Sequence, residues 1–256
     1  MDAGDRNGLP GFGELSQHDR RDMAAASDSP TLLAALIDDA DAVTARNALT
    51  NPFLSHRTMK QIALGVSSDW RRRALWENPA IPAELFEILD IFPDAFAGGS
   101  ILALPLRHPN CPSTILERHA VSPHSAIRSA VAANINLPET VADQLVTDKS
   151  PSVLSSLALN PSATPPTLDR LMHLPIDAVK TSLLQRQDEF ARQLDTLLFQ
   201  HESPRIRTAV AKFTQRPDIL AQLAFDEERS VRQAVYNNIA TPDAGRVTAA
   251  LLGCTE

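Results

Sequence analysis

The chain has 256 residues, 43% of them hydrophobic and 21% charged, an ordinary balance for a soluble globular protein and enough to bury a core. Its 24 basic and 31 acidic residues leave a net charge near -7, which argues against a protein that grips a nucleic-acid backbone. Two distant cysteines, Cys111 and Cys254, exclude a disulfide framework or a cysteine-rich metal cluster, and no run of about 18 apolar residues is present to span a membrane.

The N-terminal stretch from Met1 to Gly13 carries Asp2, Asp5, Arg6 and several glycines with no apolar run, so it does not read as a signal peptide. A cytoplasmic location is the default expectation. A partial unit ends at Ala26 and is followed by Pro30. Residues 1–26 therefore read as a tail with a partial capping repeat, and residues 27–256 as one repeat domain.

From there the chain repeats itself. An anchor position falls at Asn51, Asn78, His108, Asn134, Asn160, Arg186, Phe213 and Asn238, in steps of 27, 30, 26, 26, 26, 27 and 25 residues. Seven residues before the anchor the residue is apolar: Ile101, Ile127, Val153, Val179, Ile206 and Val231. Three before it lies a second apolar residue, as at Leu75, Val131, Leu157, Leu183, Val210 and Val235. Four before it the residue is small: Ala74, Ala130, Ser156, Ser182, Ala209 or Ala234. This spacing is the buried stripe of a short helix, and the small residue lets a neighbouring helix come close.

The anchor asparagine ends that helix, either by tolerating a left-handed backbone or by bonding backbone groups that the helix end leaves unpaired. Four residues later comes Pro82, Pro112, Pro138, Pro217 or Pro242. Proline suits the first position of a helix, so a second short helix should start there. Apolar pairs such as Leu85/Ile88, Leu168/Leu171, Leu194/Leu197 and Leu220/Leu223 would form its buried side. Two short helices cannot bury their own faces, whereas stacked units can. The expected fold is all-α, an α-solenoid of about eight two-helix repeats of about 26 residues.

The pattern Asp-x-x-x-x-Val-Arg-x-Ala-Val-x-x-Asn-x-x-x-Pro, clearest from Asp226 to Pro242, resembles the leucine-rich-repeat variant family and, more loosely, HEAT repeats. The resemblance covers roughly Asp39 to Leu252. It implies a binding scaffold, and in HEAT repeats an Asp and an Arg six residues apart form a ladder, the spacing of Asp226 and Arg232. Arg128 and Arg207 have Ser122 and His201 at the acidic position, so the ladder is partial. Some variant-repeat proteins carry a cysteine-rich iron–sulfur segment before the repeats. The N-terminal stretch here has no cysteine, and no cofactor is expected.

Candidate partner-binding residues follow from the register. Basic residues recur six before the anchor, at Arg72, Arg128, Lys180, Arg207 and Arg232. They read either as pairing between repeats, favoured by the interruptions at Leu102 and Leu154, or as a stripe for an acidic partner. Trp70, beside Arg71, Arg72 and Arg73, is either an exposed anchor or, with the register shifted by one, a core residue, while Trp76 falls in a core slot. The longest step holds an insertion over 90–100 in which Phe92 and Phe96 either tuck under the loop or meet a partner. The histidines show no metal spacing and no catalytic motif stands out. The expected function is a non-catalytic protein-interaction scaffold with a protein partner. The alternative is a HEAT-like DNA-binding or DNA-repair enzyme of the alkylpurine glycosylase type.

Overall fold

The structure, a computed structural model, describes residues 15–64, 69–87, 103–186 and 188–254. Phe92, Phe96, Ile88 and Ile101, on which expectations were placed, lie outside the described residues. Among the described residues there are seventeen α-helices and no strand, so the fold is all-α.

The chain divides into two compact units, Met1–His119 and Ala120–Glu256. In chain order the first holds α1 (Gln17–Ala26), α2 (Pro30–Leu36), α3 (Ala42–Thr50), α4 (His56–Leu64), α5 (Asp69–Leu75), a 3₁₀ turn (Ala83–Glu87), α6 (Ala103–Arg107) and α7 (Ser113–His119). The second holds α8 (Ser125–Ala132), α9 (Glu139–Leu145), α10 (Pro151–Leu159), α11 (Pro165–Met172), α12 (Asp177–Gln185), α13 (Glu189–Leu198), α14 (Pro204–Phe213), α15 (Pro217–Leu223), α16 (Arg229–Asn237), α17 (Asp243–Ala249) and a π turn (Ala250–Cys254). Within the first unit α3 packs against both α1 and α5. Within the second, α8, α10, α12, α14 and α16 pack each against the next, and the helices between them lie against these.

The sequence spacing explains this packing. Leu75, Val131, Leu157, Leu183, Val210 and Val235, three before their anchors, are all fully buried, as are Val153, Val179, Ile206 and Val231. Each such side chain contributes about 1.5–3 kcal/mol on burial. Ala74, Ala130, Ser182 and Ala209 are buried beside them, and their small size lets the helices approach. Leu85, Leu168, Leu171, Leu194, Leu220 and Leu223 are buried in the intervening segments. Leu197 is not: it is 65% exposed, and Leu198 takes its place, because in α13 the buried stripe runs Ala191, Leu194, Asp195, Leu198.

The prolines punctuate as expected, with a shift of one residue. Pro217 is the first residue of α15, but Pro138 and Pro242 sit one earlier, as N-caps. There their carbonyls accept the first helical bonds, from Val141 and Ala142 in one case and Arg246 in the other, and their missing N–H is not needed.

The anchors do more than end helices. The Asn160 amide donates to the carbonyls of Ala132 (2.8 Å) and Asn134 (2.7 Å) in the preceding repeat, and its carbonyl accepts the Ser162 N–H at 2.8 Å. Asn78 does the same with Leu49, Asn51 and Ala80, and Asn238 with Ala211, Thr214 and Ala240. Asn51 reaches Ala24 and Ser27, so Ser27 holds the anchor slot of the partial unit. In each of these cases the anchor side chain holds the backbone of the previous anchor.

Two expectations are corrected here. Asn51, Asn160 and Asn238 have extended backbones, with φ of -72°, -65° and -78°, and are not left-handed. Asparagine is used for its amide, which both donates and accepts. The seventh anchor is Thr214 and not Phe213: Asn238 bonds the Thr214 carbonyl, and the Thr214 hydroxyl accepts the Arg216 N–H and donates to Asp195 at 2.6 Å. At Arg186 the guanidinium donates to the carbonyls of Ala158 and Asn160 and is held by Asp188.

His108 imitates asparagine with a ring. Its Nδ1 accepts the Asn110 N–H at 3.0 Å, so Nε2 carries the proton and donates to the Asn78 carbonyl at 3.0 Å. Burial pushes its pKa down, against the bond to Asn78. A histidine held neutral in the fold contributes stability that is complete above its unfolded pKa of about 6.5 and is lost as pH falls below it. His119, lowered by burial and by Arg118, acts in the same direction. His108→Asn is expected to keep stability at pH 7 within about 1 kcal/mol of the parent, since the amide repeats both bonds while some ring packing is lost. Urea melts at pH 7 and pH 5 should show a smaller acid loss in this variant. An unchanged acid loss would remove His108 as its source.

Candidate partner-binding surface

Arginines six or seven before the anchor build a second ladder. Arg128 places Nε at 2.6 Å and Nη2 at 3.0 Å from the Asp148 carboxylate, while Nη1 donates to the carbonyls of Ser122 and Pro123. Arg207 repeats this with Asp226 at 2.7 and 3.0 Å and with the carbonyls of His201 and Glu202. Arg20 has the same pairing with Asp39 and the Leu15 carbonyl. The acid therefore comes from the next repeat. The residue six before the arginine supplies only a backbone carbonyl, so Ser122 and His201 serve as well as an acid. The Asp226–Arg232 side-chain pair is accordingly absent: Arg232 bonds the backbone of Asp226, whose carboxylate belongs to Arg207.

This settles where the basic stripe goes. Arg128 and Arg207 are engaged inside the stack, their side chains only 18% and 10% exposed, and they offer little charge to a partner. Bidentate, charge-assisted bonds of this kind are among the stronger polar contacts. Burial raises the Asp226 carboxyl, but the bonds from Arg207 and the Glu228 N–H and the Arg207 and Arg232 charges outweigh it and leave it below the usual range. Asp148 is lowered first by its bonds to Arg128. Arg72 is half-buried on α5 and follows residues 65–68, which lie outside the described residues.

A different set of side chains is left facing outward in the first unit. Trp70 is 42% exposed, with the Arg71 guanidinium 5.5 Å from its ring centre and Arg71 itself held by Asp38. Trp76 is 5% exposed and packs on Phe86 at 5.3 Å, the core position its slot predicted. Trp70, Arg73 and Glu77 share one side of α5 and its closing turn, at i, i+3 and i+7. Beside them an open groove of about 680 Å³ is lined by Trp76, Glu77, Pro79, Leu104, Arg107 and Pro109, largely through apolar atoms. Glu77 is held by Arg46. Arg73 and Arg107 are exposed and have no ion-pair partner among the described residues. The groove thus combines an apolar floor with uncompensated positive charge.

Arg73 stood in the basic run beside Trp70, whereas Leu104 and Arg107 were not singled out by sequence reasoning. A signal was available for Arg107: the residue one before the anchor is also exposed at Glu77, Leu159, Gln185 and Asn237.

Groups with chemical potential elsewhere are held inert. The buried Cys111 thiol is pushed up to about 12 by burial, so it stays protonated at neutral pH. The Asp195 carboxyl is raised by burial against the Thr214 bond, in the packed interface of α13 and α14. Among the described residues no three His, Cys, Asp or Glu side chains gather to hold a metal ion, and no helix is long and apolar enough to cross a membrane. No protein-family model matches the chain, and comparison with curated proteins finds no match.

Proposed function

We propose that the chain is an α-solenoid of about eight two-helix repeats, of the leucine-rich-repeat variant or HEAT-like kind, acting as a non-catalytic scaffold that binds a protein partner. The observation that carries this is the outward side of the first unit. Trp70 lies exposed there with Arg73 on the same side of α5, Arg107 lines an apolar groove, and neither arginine has an ion-pair partner among the described residues. Aromatic and arginine side chains are the usual anchors of protein interfaces. The asparagine and arginine ladders support the same reading, because they hold neighbouring helices rigidly and leave this side unmodified by the needs of folding. The partner segment best suited to the groove presents an apolar side chain next to an acidic one.

Affinity capture from native cell extract with the parent protein and with Trp70→Ala and Arg73→Glu tests this. Both substitutions are at exposed positions and should leave the helical circular dichroism and urea midpoint unchanged. The captured partner should fall at least about tenfold with either one, the scale of an interface anchor. Arg192→Ala, on the outer side of α13, should leave it intact. Equal capture by all variants would overturn the assignment of this surface. Duplex DNA binding that weakens steeply with added salt would instead favour the repair-enzyme alternative.

A further inference from the structure

At Arg232 the arginine ladder has a rung without an acid among the described residues. Arg232 makes the same Nη1 contacts as Arg128 and Arg207, to the carbonyls of Asp226 (2.7 Å) and Glu227 (2.9 Å), so its guanidinium is set at the same angle to its own repeat. In the filled rungs the Nε and Nη2 donors then grip a carboxylate 19 or 20 residues further along the chain. The residues at those distances from Arg232 are Leu251 and Leu252. Nη2 meets the Leu252 carbonyl at 2.8 Å, and Nε is buried with no hydrogen-bond partner.

We propose that Arg232 is a preformed carboxylate site, and that its occupant is an aspartate on a polypeptide segment stacking against α16 as α16 stacks against α14. An arginine fork fixed by two carbonyls presents two parallel N–H donors in one plane, the geometry that a carboxylate matches and a single neutral carbonyl does not. A buried unpaired donor in a charged group is costly, and a carboxylate relieves that cost by satisfying Nε and Nη2 together. The acceptor now in place is easily displaced. Leu252 and Leu251 are 46% and 82% exposed, in the π turn that ends the described chain. The site belongs to the second unit and the Trp70 surface to the first, and the two are tested separately, so failure of the capture experiment leaves it standing.

The test follows the side-chain Nε–H resonance of Arg232 by NMR in the intact protein. The first probe is N-acetyl-aspartate amide, with chloride at equal ionic strength as the control. A saturable downfield shift of the Arg232 signal is expected, while the Arg128 and Arg207 signals, already on carboxylates, stay in place. The second probe is a peptide of residues 224–237, which carries the aspartate that fills the Arg207 rung, together with its Asp226→Asn form. The parent peptide should shift the same resonance at lower concentration than the small probe, and the Asn form should lose at least about nine-tenths of that affinity, a tenfold change. No Arg232 shift with either probe overturns the site. A shift with the small carboxylate alone, or equal shifts with both peptides, overturns the polypeptide occupant.

Discussion

Arg207→Ala is expected to lower stability by about 3–4 kcal/mol, the scale for removing one member of a buried ion pair. Arg207 is 8% exposed and joins two repeats through five hydrogen bonds, to Asp226, Glu227 and the carbonyls of His201 and Glu202. Its loss strands the Asp226 carboxylate, whose side chain is 8% exposed. A urea melt at pH 7 reads the effect, and a cost below about 0.5 kcal/mol, the size of a surface change, would show that the ladder contributes nothing. The pH dependence has a definite sign. In the parent, Asp226 titrates below its usual range, so its contribution is present above the unfolded pKa of about 3.9 and is lost as pH falls through the lower folded value. In the variant the Arg207 bonds and charge are gone, and burial, which raises the carboxyl, is opposed only by the Glu228 N–H and the Arg232 charge. The gap between parent and variant should therefore narrow as pH is lowered from 7 toward 4.

Asn160→Ala comes next, at about 2–3 kcal/mol. Asn160 is 2% exposed, and its side chain satisfies two carbonyls of the preceding repeat and one N–H of its own turn. Alanine removes all three bonds, leaving the Asn134 carbonyl with only the Leu137 N–H, at about 1 kcal/mol each, less whatever water recovers. Asn160→Asp should be at least as damaging at neutral pH, because a carboxylate cannot donate to the Ala132 and Asn134 carbonyls. Asn237→Ala is the control, at an exposed position in α16 next to the anchor Asn238, with an expected cost below about 0.5 kcal/mol. If Asn237→Ala matched Asn160→Ala in urea melts, the anchor assignment would be wrong.

The helices and their buried sides were legible in the residues, since a seven-and-three spacing of apolar side chains before each anchor is a local pattern that the helix period converts directly into one face. Trp76 in the core and the small residues four before the anchors follow from the same period. What each polar side chain does was not legible, because it depends on which atoms the next repeat brings within 3 Å. Arg128 finds Asp148 from the following repeat, 20 residues on, and Asn160 finds carbonyls 26 and 28 residues back. Pairing between repeats was the favoured reading for Arg128 because the basic stripe is interrupted, and tertiary packing fixed the geometry by which Asp148 engages it. The same packing moved the seventh anchor from Phe213 to Thr214, kept Trp70 exposed, and left Arg73 and Arg107 outside. The sequence by itself determined the repeating helices and their cores through periodicity, and the tertiary structure decided which charges remain available, because an ion pair is a property of two repeats and not of one.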